Sequence, residues 1–360
     1  MIRAEKREGF IRVRYSEGVF RRWLRVNCKV FYHDKCFDGA CSAALFTRFH
    51  TECAKTADGS AWRYAYQGLV HRAGSLFEEG WFEMRGENAI VDFKYSASPK
   101  LTWWFDHHLS AFMTVKDEEW FRRGQRDGSE TKRQFFDPAY TSCTGLIAHV
   151  AQTKFGMDMV PFRELIYWAN IVDGAKYESA KAAVEMDEPA MKLTMVIESA
   201  PDEDGESVSK KFIPLLTEMP LQAVLDQPFV QELVGPLLAQ HFKMLELIRD
   251  RAVCEEGVIR FDITDQSTEG YNKFIPYYLF PEGTYNVGLS KSSFRTKVSV
   301  GTNPWTTKDV GELANIAAIC ERYGGGGHAR VGAISFAVDR EDEARAAVKE
   351  IVAELEKGGS

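Results

Sequence analysis

The sequence predicts an α/β protein in which a doubly wound, mostly parallel sheet is joined by a helical connector to a smaller α/β domain. Three observations lead there. Strand-like apolar runs alternate with helical patterns through the first half, as in βαβ units wound around a parallel sheet. His33, Asp92 and Asp106 each stand at or just past the end of such a run, and doubly wound sheets gather ligands beyond the carboxyl ends of their strands. A chain of 360 residues with 45% hydrophobic content also exceeds what one core usually organises, so two domains are expected.

The first 25 residues carry Arg3, Lys6, Arg7, Arg12, Arg14, Arg21, Arg22 and Arg25 interleaved with Glu5, Glu8 and Glu17, and lack an apolar signal core. They read as a solvated or sheet-edge extension rather than a targeting segment. A catalytic domain follows over 26–185. Its strands are expected at Val26–Tyr32, Trp62–Tyr66, Ala89–Phe93 and Leu101–Phe105. Gly39 opens a run of small and apolar residues that suits a helix packed closely on the sheet, and further helices are expected at Ser142–Lys154 and Pro161–Ile171.

Residues 186–252 turn helical; within Phe229–Arg249, Leu233, Leu237, Leu238, Phe242 and Leu245 recur at helical spacing, which marks a connector. The second domain, 253–357, shows strand-like segments at Gly257–Ile263, Phe274–Leu279, Tyr285–Leu289 and Thr296–Val300, then a helix near Val310–Tyr323. A strand at Gly332–Val338 and a last helix from Glu341 complete it.

A charged fraction of 27% with no uncharged apolar run of bilayer length argues against a membrane protein. The net charge of −7 supplies no general attraction to duplex DNA, but leaves room for a short anionic substrate in a local basic pocket. Cysteines 28, 36, 41, 53, 143, 254 and 320 are scattered without a CxxC pair, which reads as reduced thiols in the cytoplasm.

Asp106, His107 and His108 leave the buried run LTWWF together. A lone DHH tripeptide equally suits a polar loop whose Asp caps a helix. The surroundings favour chemistry: His33, Asp34, Cys36 and Asp38 share one short turn, and Asp92 follows another strand. Carboxylates converging on one sheet edge repel each other unless cations sit among them, and mixed imidazole and carboxylate donors suit manganese or another first-row ion. Asp173, after an apolar helix, adds a further carboxylate, or simply a helix-terminal turn with Gly174.

Gly324, Gly325, Gly326 and Gly327 precede His328. Four glycines free backbone N–H groups to form a nest around a phosphate, whereas ending a helix needs only one. Phe274, Tyr277, Tyr278 and Phe294 are candidates for stacking on a base, though aromatics in strands more often fill the core.

In this order, HxxCxDG (His33 to Gly39), Asp92, DHH (106 to 108), Asp173 and GGGGH (324 to 328) resemble the DHH superfamily of phosphoesterases bearing a DHH-associated C-terminal domain. That family includes oligoribonucleases, cyclic- and linear-dinucleotide phosphodiesterases, 3'-phosphoadenosine phosphatases and single-strand exonucleases. The resemblance implies metal-dependent hydrolysis of a phosphate ester in a small nucleotide or short single-stranded oligonucleotide. It also implies two divalent ions, manganese first among them, and a homodimer as the default state.

Carried over by position, Asp92 would bridge the ions, His33 would help hold the first, and Asp38, His107 and Asp173 would hold the second. His108 would contact the phosphate, Asp106 would support the neighbouring histidine, and the glycine run with His328 would grip the nucleotide. Two departures stand out. Many members have His-x-x-x-Asp-x-Asp, whereas here the spacing is one residue shorter and Cys36 replaces the first Asp; Cys36 or Asp34 could ligate instead, or the site could bind weakly. Where relatives often carry a substrate-binding Arg in the strand KVSVGT, this chain has Gly301, leaving Arg295 and Lys297 as replacements. Two other activities fit less closely: a phosphomonoesterase or pyrophosphatase, and a nucleotide-binding sensor with impaired catalysis.

Overall fold

The computed structural model describes residues 3–7, 10–14, 27–54, 59, 61–71, 76–127, 133–203, 206–268 and 270–358. Of the N-terminal extension, the described part is an antiparallel pair, β1 (Arg3–Arg7) and β2 (Phe10–Arg14); the remainder of that expectation lies outside the described residues. The chain divides into two units, 1–176 with 192–233, and 177–191 with 234–360.

In the first unit, β3 (Asn27–His33), β4 (Arg63–Leu69), β5 (Gly86–Val91), β6 (Trp103–Asp106) and β7 (Gln134–Phe136) form a wholly parallel sheet in the order β4-β3-β5-β6-β7. The chain leaves β3 toward β4 on one side and later returns to β5 on the other. The carboxyl ends of β3 and β5 therefore flank the crevice at which such sheets bind ligands.

Both faces of this sheet are covered, which explains why β6 is apolar without alternation. Trp103 and Phe105 pack with Phe46 and Phe49 of α1 (Phe37–Cys53) on one face. Trp104 meets Tyr95, Phe112 and Phe121 on the other, the last from α2 (Val115–Asp127). Each such side chain, once buried, contributes about 1.5–3 kcal/mol, so this short strand is held firmly enough to aim the residues that follow it. Close packing at the start of α1 depends on Gly39, because a Cβ there would run into the His33 backbone carbonyl.

Two further helices complete the frame. Ser142 caps α3 (Cys143–Phe155) by accepting from the Gly145 N–H, and α4 (Arg163–Asp173) delivers Asp173 as its last residue. The helix α5 (Ser209–Glu218) packs against α1. Helix α6 (Pro228–Arg251) carries the chain from the first unit into the second. Much of the stretch expected as a connector, 192–233, thus groups with the first unit.

The second unit carries a mixed sheet in the order β12-β13-β11-β10-β9-β8, made of β8 (Val253–Glu255), β9 (Val258–Ser267), β10 (Tyr285–Lys291), β11 (Thr296–Thr302), β12 (Gly326–His328) and β13 (Val331–Phe336). Helices α7 (Ile316–Glu321) and α8 (Glu341–Lys357) share one core with it, including Val287, Val298, Ile334, Ile319 and Ile351. Two local expectations are corrected. Phe274–Leu279 is not a strand but leads into the helix Ile275–Leu279, because Pro276 lacks the N–H a ladder needs yet fits a first helical turn. The long helix expected over Val310–Tyr323 is instead a 3-10 turn, Val310–Glu312, followed by α7, since Asn315 starts a new helix by accepting from the Ala318 N–H. The glycine run partly becomes edge strand β12, as Cβ atoms at Gly325 and Gly327 would strike the Ala333 and Val331 carbonyls of β13.

Candidate metal centre

Residues from three strand ends and two helices meet at the carboxyl edge of the parallel sheet. His33 is the last residue of β3, Asp92 follows β5, and Asp106 ends β6 with His107 and His108 immediately after. Asp38 sits in the first turn of α1 and Asp173 at the end of α4. Asp92 has φ +56°, a left-handed conformation that costs a non-glycine residue energy and marks a backbone held by its surroundings.

Asp38 is 1% exposed and is held from α3: the Cys143 and Thr144 N–H groups donate to it at 2.7 and 3.1 Å, and the Thr144 hydroxyl at 2.6 Å. His107 donates through Nδ1 to the Tyr140 carbonyl at 3.1 Å. A carbonyl only accepts, so in the neutral ring Nε2 bears the lone pair. That nitrogen lies 3.5 Å from Asp92, 3.5 Å from Asp173 and 3.8 Å from Asp38. The Asp106 carboxylate accepts from the backbone N–H groups of His107 and His108 at 2.8 and 3.2 Å and from His108 Nδ1 at 2.8 Å. The same logic leaves Nε2 as the free nitrogen of His108.

On the other side of Asp92, His33 Nδ1 lies 3.4 Å and Cys36 Sγ 3.7 Å from its Oδ2. Three overlapping donor sets could hold a metal ion: His33, Cys36 and Asp92; Asp92, His107 and His108; Asp38, His107 and Asp173. Asp34 belongs to none of them; its carboxylate accepts from the Ser209 hydroxyl and from the Lys35 N–H at 2.8 Å.

The electrostatics are those of a centre short of positive charge. Burial, then Asp92 and Asp173, push the Asp38 carboxyl well above the carboxylate range. Burial and the Asp92 charge raise Asp173 to about 6. Burial also works against ionised Asp92, but the adjacent His107 and His33 imidazoles outweigh it and hold the group below its usual range. Burial disfavours the imidazolium of His107, yet Asp92, Asp38 and Asp173 together raise it to about 9. His108 is raised chiefly by its bond to Asp106. Burial, Asp92 and Asp38 push the Cys36 thiol up.

The donors fit a divalent ion on a separate ground. His33 Nδ1, Asp92 Oδ1 and His107 Nε2 are shielded from solvent and make no hydrogen bond. Leaving such groups unmet costs about 1–3 kcal/mol each, and cations on the two sides of Asp92 would satisfy all three. His71 carries no signal in the sequence: it follows β4, stacks on Phe93 with ring centroids 4.7 Å apart, and meets His33 edge-on at 5.0 Å. Only the neighbouring strand order brings it there, and no motif flags it. Tyr140 and Thr144 go unmarked for the same reason.

In the second unit, Lys297 pairs with Ser335 and Gly326 with Ala333, two residues apart along β13. The alternation places Arg295, Lys297, Ser335, Ala333 and Gly326 on the sheet face opposite the helix-covered core. Arg295 donates to Ser335 at 3.2 Å and lies 5.1 Å above the exposed Phe294 ring. A Cβ at Gly301 would meet Tyr277 Oη at 2.8 Å. Phe274 and Tyr277 are buried, and Tyr278 donates to Glu185 at 2.9 Å.

No protein-family model and no curated protein sequence matches the chain. Solved structures do. A pGpG-specific phosphodiesterase, PggH from Vibrio cholerae, aligns over 91% of this chain and 99% of its own, with a TM-score of 0.62 at 16% identity. The DHH domain of a member of a ribosomal-protein family aligns over 92% of this chain and 87% of its own, with a TM-score of 0.52 at 16% identity. The chain has the two-domain α/β fold of DHH proteins. Among the described residues, no helix is long and apolar enough to cross a membrane.

Proposed function

We propose that this chain is a cytoplasmic metal-dependent phosphodiesterase acting on a linear dinucleotide or short single-stranded oligonucleotide. The observation that carries this reading is the set of buried, unpartnered donor atoms on His33, Asp92 and His107, surrounded by more carboxylate than the protein's own cations neutralise. Asp92 would lie between two divalent ions, with His33 on one side and His107, Asp38 and Asp173 on the other; manganese is the ion we expect for the latter set. When bound, such ions supply Lewis-acid charge and activate a water molecule.

The protein's own groups do the rest. His108, its Nδ1 engaged by Asp106, keeps Nε2 for the substrate and, when protonated, can donate to a non-bridging phosphoryl oxygen, where charge grows in the transition state. Asp106 fixes the ring and favours its protonated form, while Tyr140 fixes the His107 tautomer. In the second unit, half-buried Arg295 and Lys297 would offer positive charge, the edge strand of Gly326, Gly327 and His328 would face the nucleotide while the Gly324 and Gly325 N–H groups donate to Glu321 and Cys320, and Phe294 would offer a ring for a base. A linear dinucleotide leads the candidates because that is the substrate class named for the Vibrio cholerae protein.

The test is hydrolysis in manganese buffer of a linear dinucleotide, a short RNA, a cyclic dinucleotide, 3'-phosphoadenosine 5'-phosphate and pyrophosphate, by wild type and His107→Ala. Cleavage of a dinucleotide or short RNA that vanishes in the variant supports the reading. Nucleotide binding without cleavage in manganese, cobalt or zinc defeats it in favour of a sensor.

A further inference from the structure

We infer that the Cys36 thiolate is a protein ligand of the first metal position, which therefore takes a thiophilic ion such as zinc, cobalt or iron(II) rather than manganese. This deepens the metal-centre reading above and rests on it.

Among the seven cysteines only Cys36 falls in a donor set able to hold an ion, among the described residues. Its Sγ, a His33 ring nitrogen and an Asp92 carboxylate oxygen lie within 4.8 Å of one another. Cys36 is the N-cap of α1, with the Gly39 N–H near its sulfur, and its thiol donates to the Asp92 carboxylate at 3.7 Å. Cys143, by contrast, donates to the Phe105 carbonyl at 3.3 Å within the core.

The carboxylate that could have served in its place is committed elsewhere. Asp34 is bonded to Ser209 and the Lys35 N–H, and lies against the backbone at Gly68, where no side chain could fit. Support for a ligand comes from the shielded, unpartnered His33 Nδ1 and from the fully buried Asp92 side chain, whose Oδ2 lies 3.4 Å from that nitrogen and 3.7 Å from the Cys36 sulfur. A set of one imidazole, one thiol and one carboxylate selects soft or borderline ions, because thiolate bonds are weak to manganese and strong to zinc, cobalt and iron. On ligation, Sγ releases its proton to solvent and binds as the anion.

The test titrates metal-stripped full-length protein with cobalt(II), measuring bound ion by equilibrium dialysis and a thiolate-to-cobalt charge-transfer band in the near ultraviolet, for wild type, Cys36→Ser and Cys36→Asp. We expect the band in wild type and its loss in both variants. Cys36→Ser should bind the first ion about 10-fold more weakly or worse, whereas Cys36→Asp should regain binding and shift it toward manganese. Cobalt bound by wild type without the band, or a band that persists in Cys36→Ser, overturns thiolate ligation and leaves the metal centre standing. Failure of wild type to bind cobalt, zinc or manganese at all defeats the metal centre itself, and this inference with it.

Discussion

Replacing Thr144 by valine deletes one hydroxyl from the wall that holds Asp38 while preserving side-chain shape. That hydroxyl donates to Asp38 Oδ1 at 2.6 Å in a place where both residues are closed to water. A hydrogen bond to a charged group contributes about 1.5–3 kcal/mol, and no solvent can replace it here. The remaining donors, the Cys143 and Thr144 N–H groups and the more distant Ser42 hydroxyl at 3.4 Å, stay, so the loss should not exceed that range. Burial already pushes the Asp38 carboxyl up, and losing a donor pushes it further. Stability lost through this change is therefore largest at high pH, where Asp38 must ionise, and shrinks at acid pH, where the neutral carboxyl gives up a weaker bond. Because a group supporting a metal ligand typically governs its affinity about 10–100-fold, manganese binding should weaken on that scale. Urea unfolding in chelator, followed by the fluorescence of buried Trp103 and Trp104, reads the first quantity; manganese paramagnetic resonance reads the second. Thr144→Ser, which keeps the hydroxyl, is the control. A valine variant within about 0.5 kcal/mol of wild type, with manganese affinity unchanged, would refute the reasoning.

Other perturbations test neighbouring parts of the structure. Trp104→Ala empties a fully buried site and strands the Phe93 carbonyl to which its Nε1 donates at 2.9 Å; a loss of about 3–5 kcal/mol is expected in chemical denaturation, and a loss below about 1.5 kcal/mol would mean β6 is not held as described. With His107 raised to about 9 and Asp173 to about 6, the metal-free centre carries a proton on His107 at neutral pH that a metal must displace. Manganese affinity should therefore climb with pH between about 6.5 and 9, with at least one proton released per ion; calorimetry in buffers of different ionisation enthalpy measures this, and pH-independent affinity would contradict it. Asp106→Asn removes the charge that fixes His108 while keeping a similar shape, so kcat should fall about 10²–10⁴-fold with little change in KM; equal loss in both would assign Asp106 to substrate binding instead.

Much of this was legible in the residues because apolar periodicity and strand-end chemistry are local. Runs such as VFYH and WWFD announce strands buried on both faces, and the polar residue ending each announces an edge. Local punctuation misled where two local signals competed. Phe274–Leu279 has strand composition, but Pro276 decides for a helix, and Asn315 splits what periodicity alone reads as one long helix. His71, Thr144 and Tyr140 had no signal at all: an imidazole after β4, a hydroxyl on α3 and a backbone carbonyl matter only through neighbours distant in sequence.

The sequence by itself determined the alternation of strands and helices, the identity of the acidic and imidazole groups, and their arrival at strand ends, because each follows from spacing along one chain. The order β4-β3-β5-β6-β7 was decided only in three dimensions, and with it the placing of His33 and Cys36 on one side of Asp92 and of His107 on the other. The choice of Cys36 over Asp34 as the thiol or carboxylate beside Asp92 was decided there too, since the packing of Ser209 and Gly68 engages Asp34. Both outcomes depend on contacts between segments far apart in the chain, and spacing along a sequence carries no record of which of them will touch.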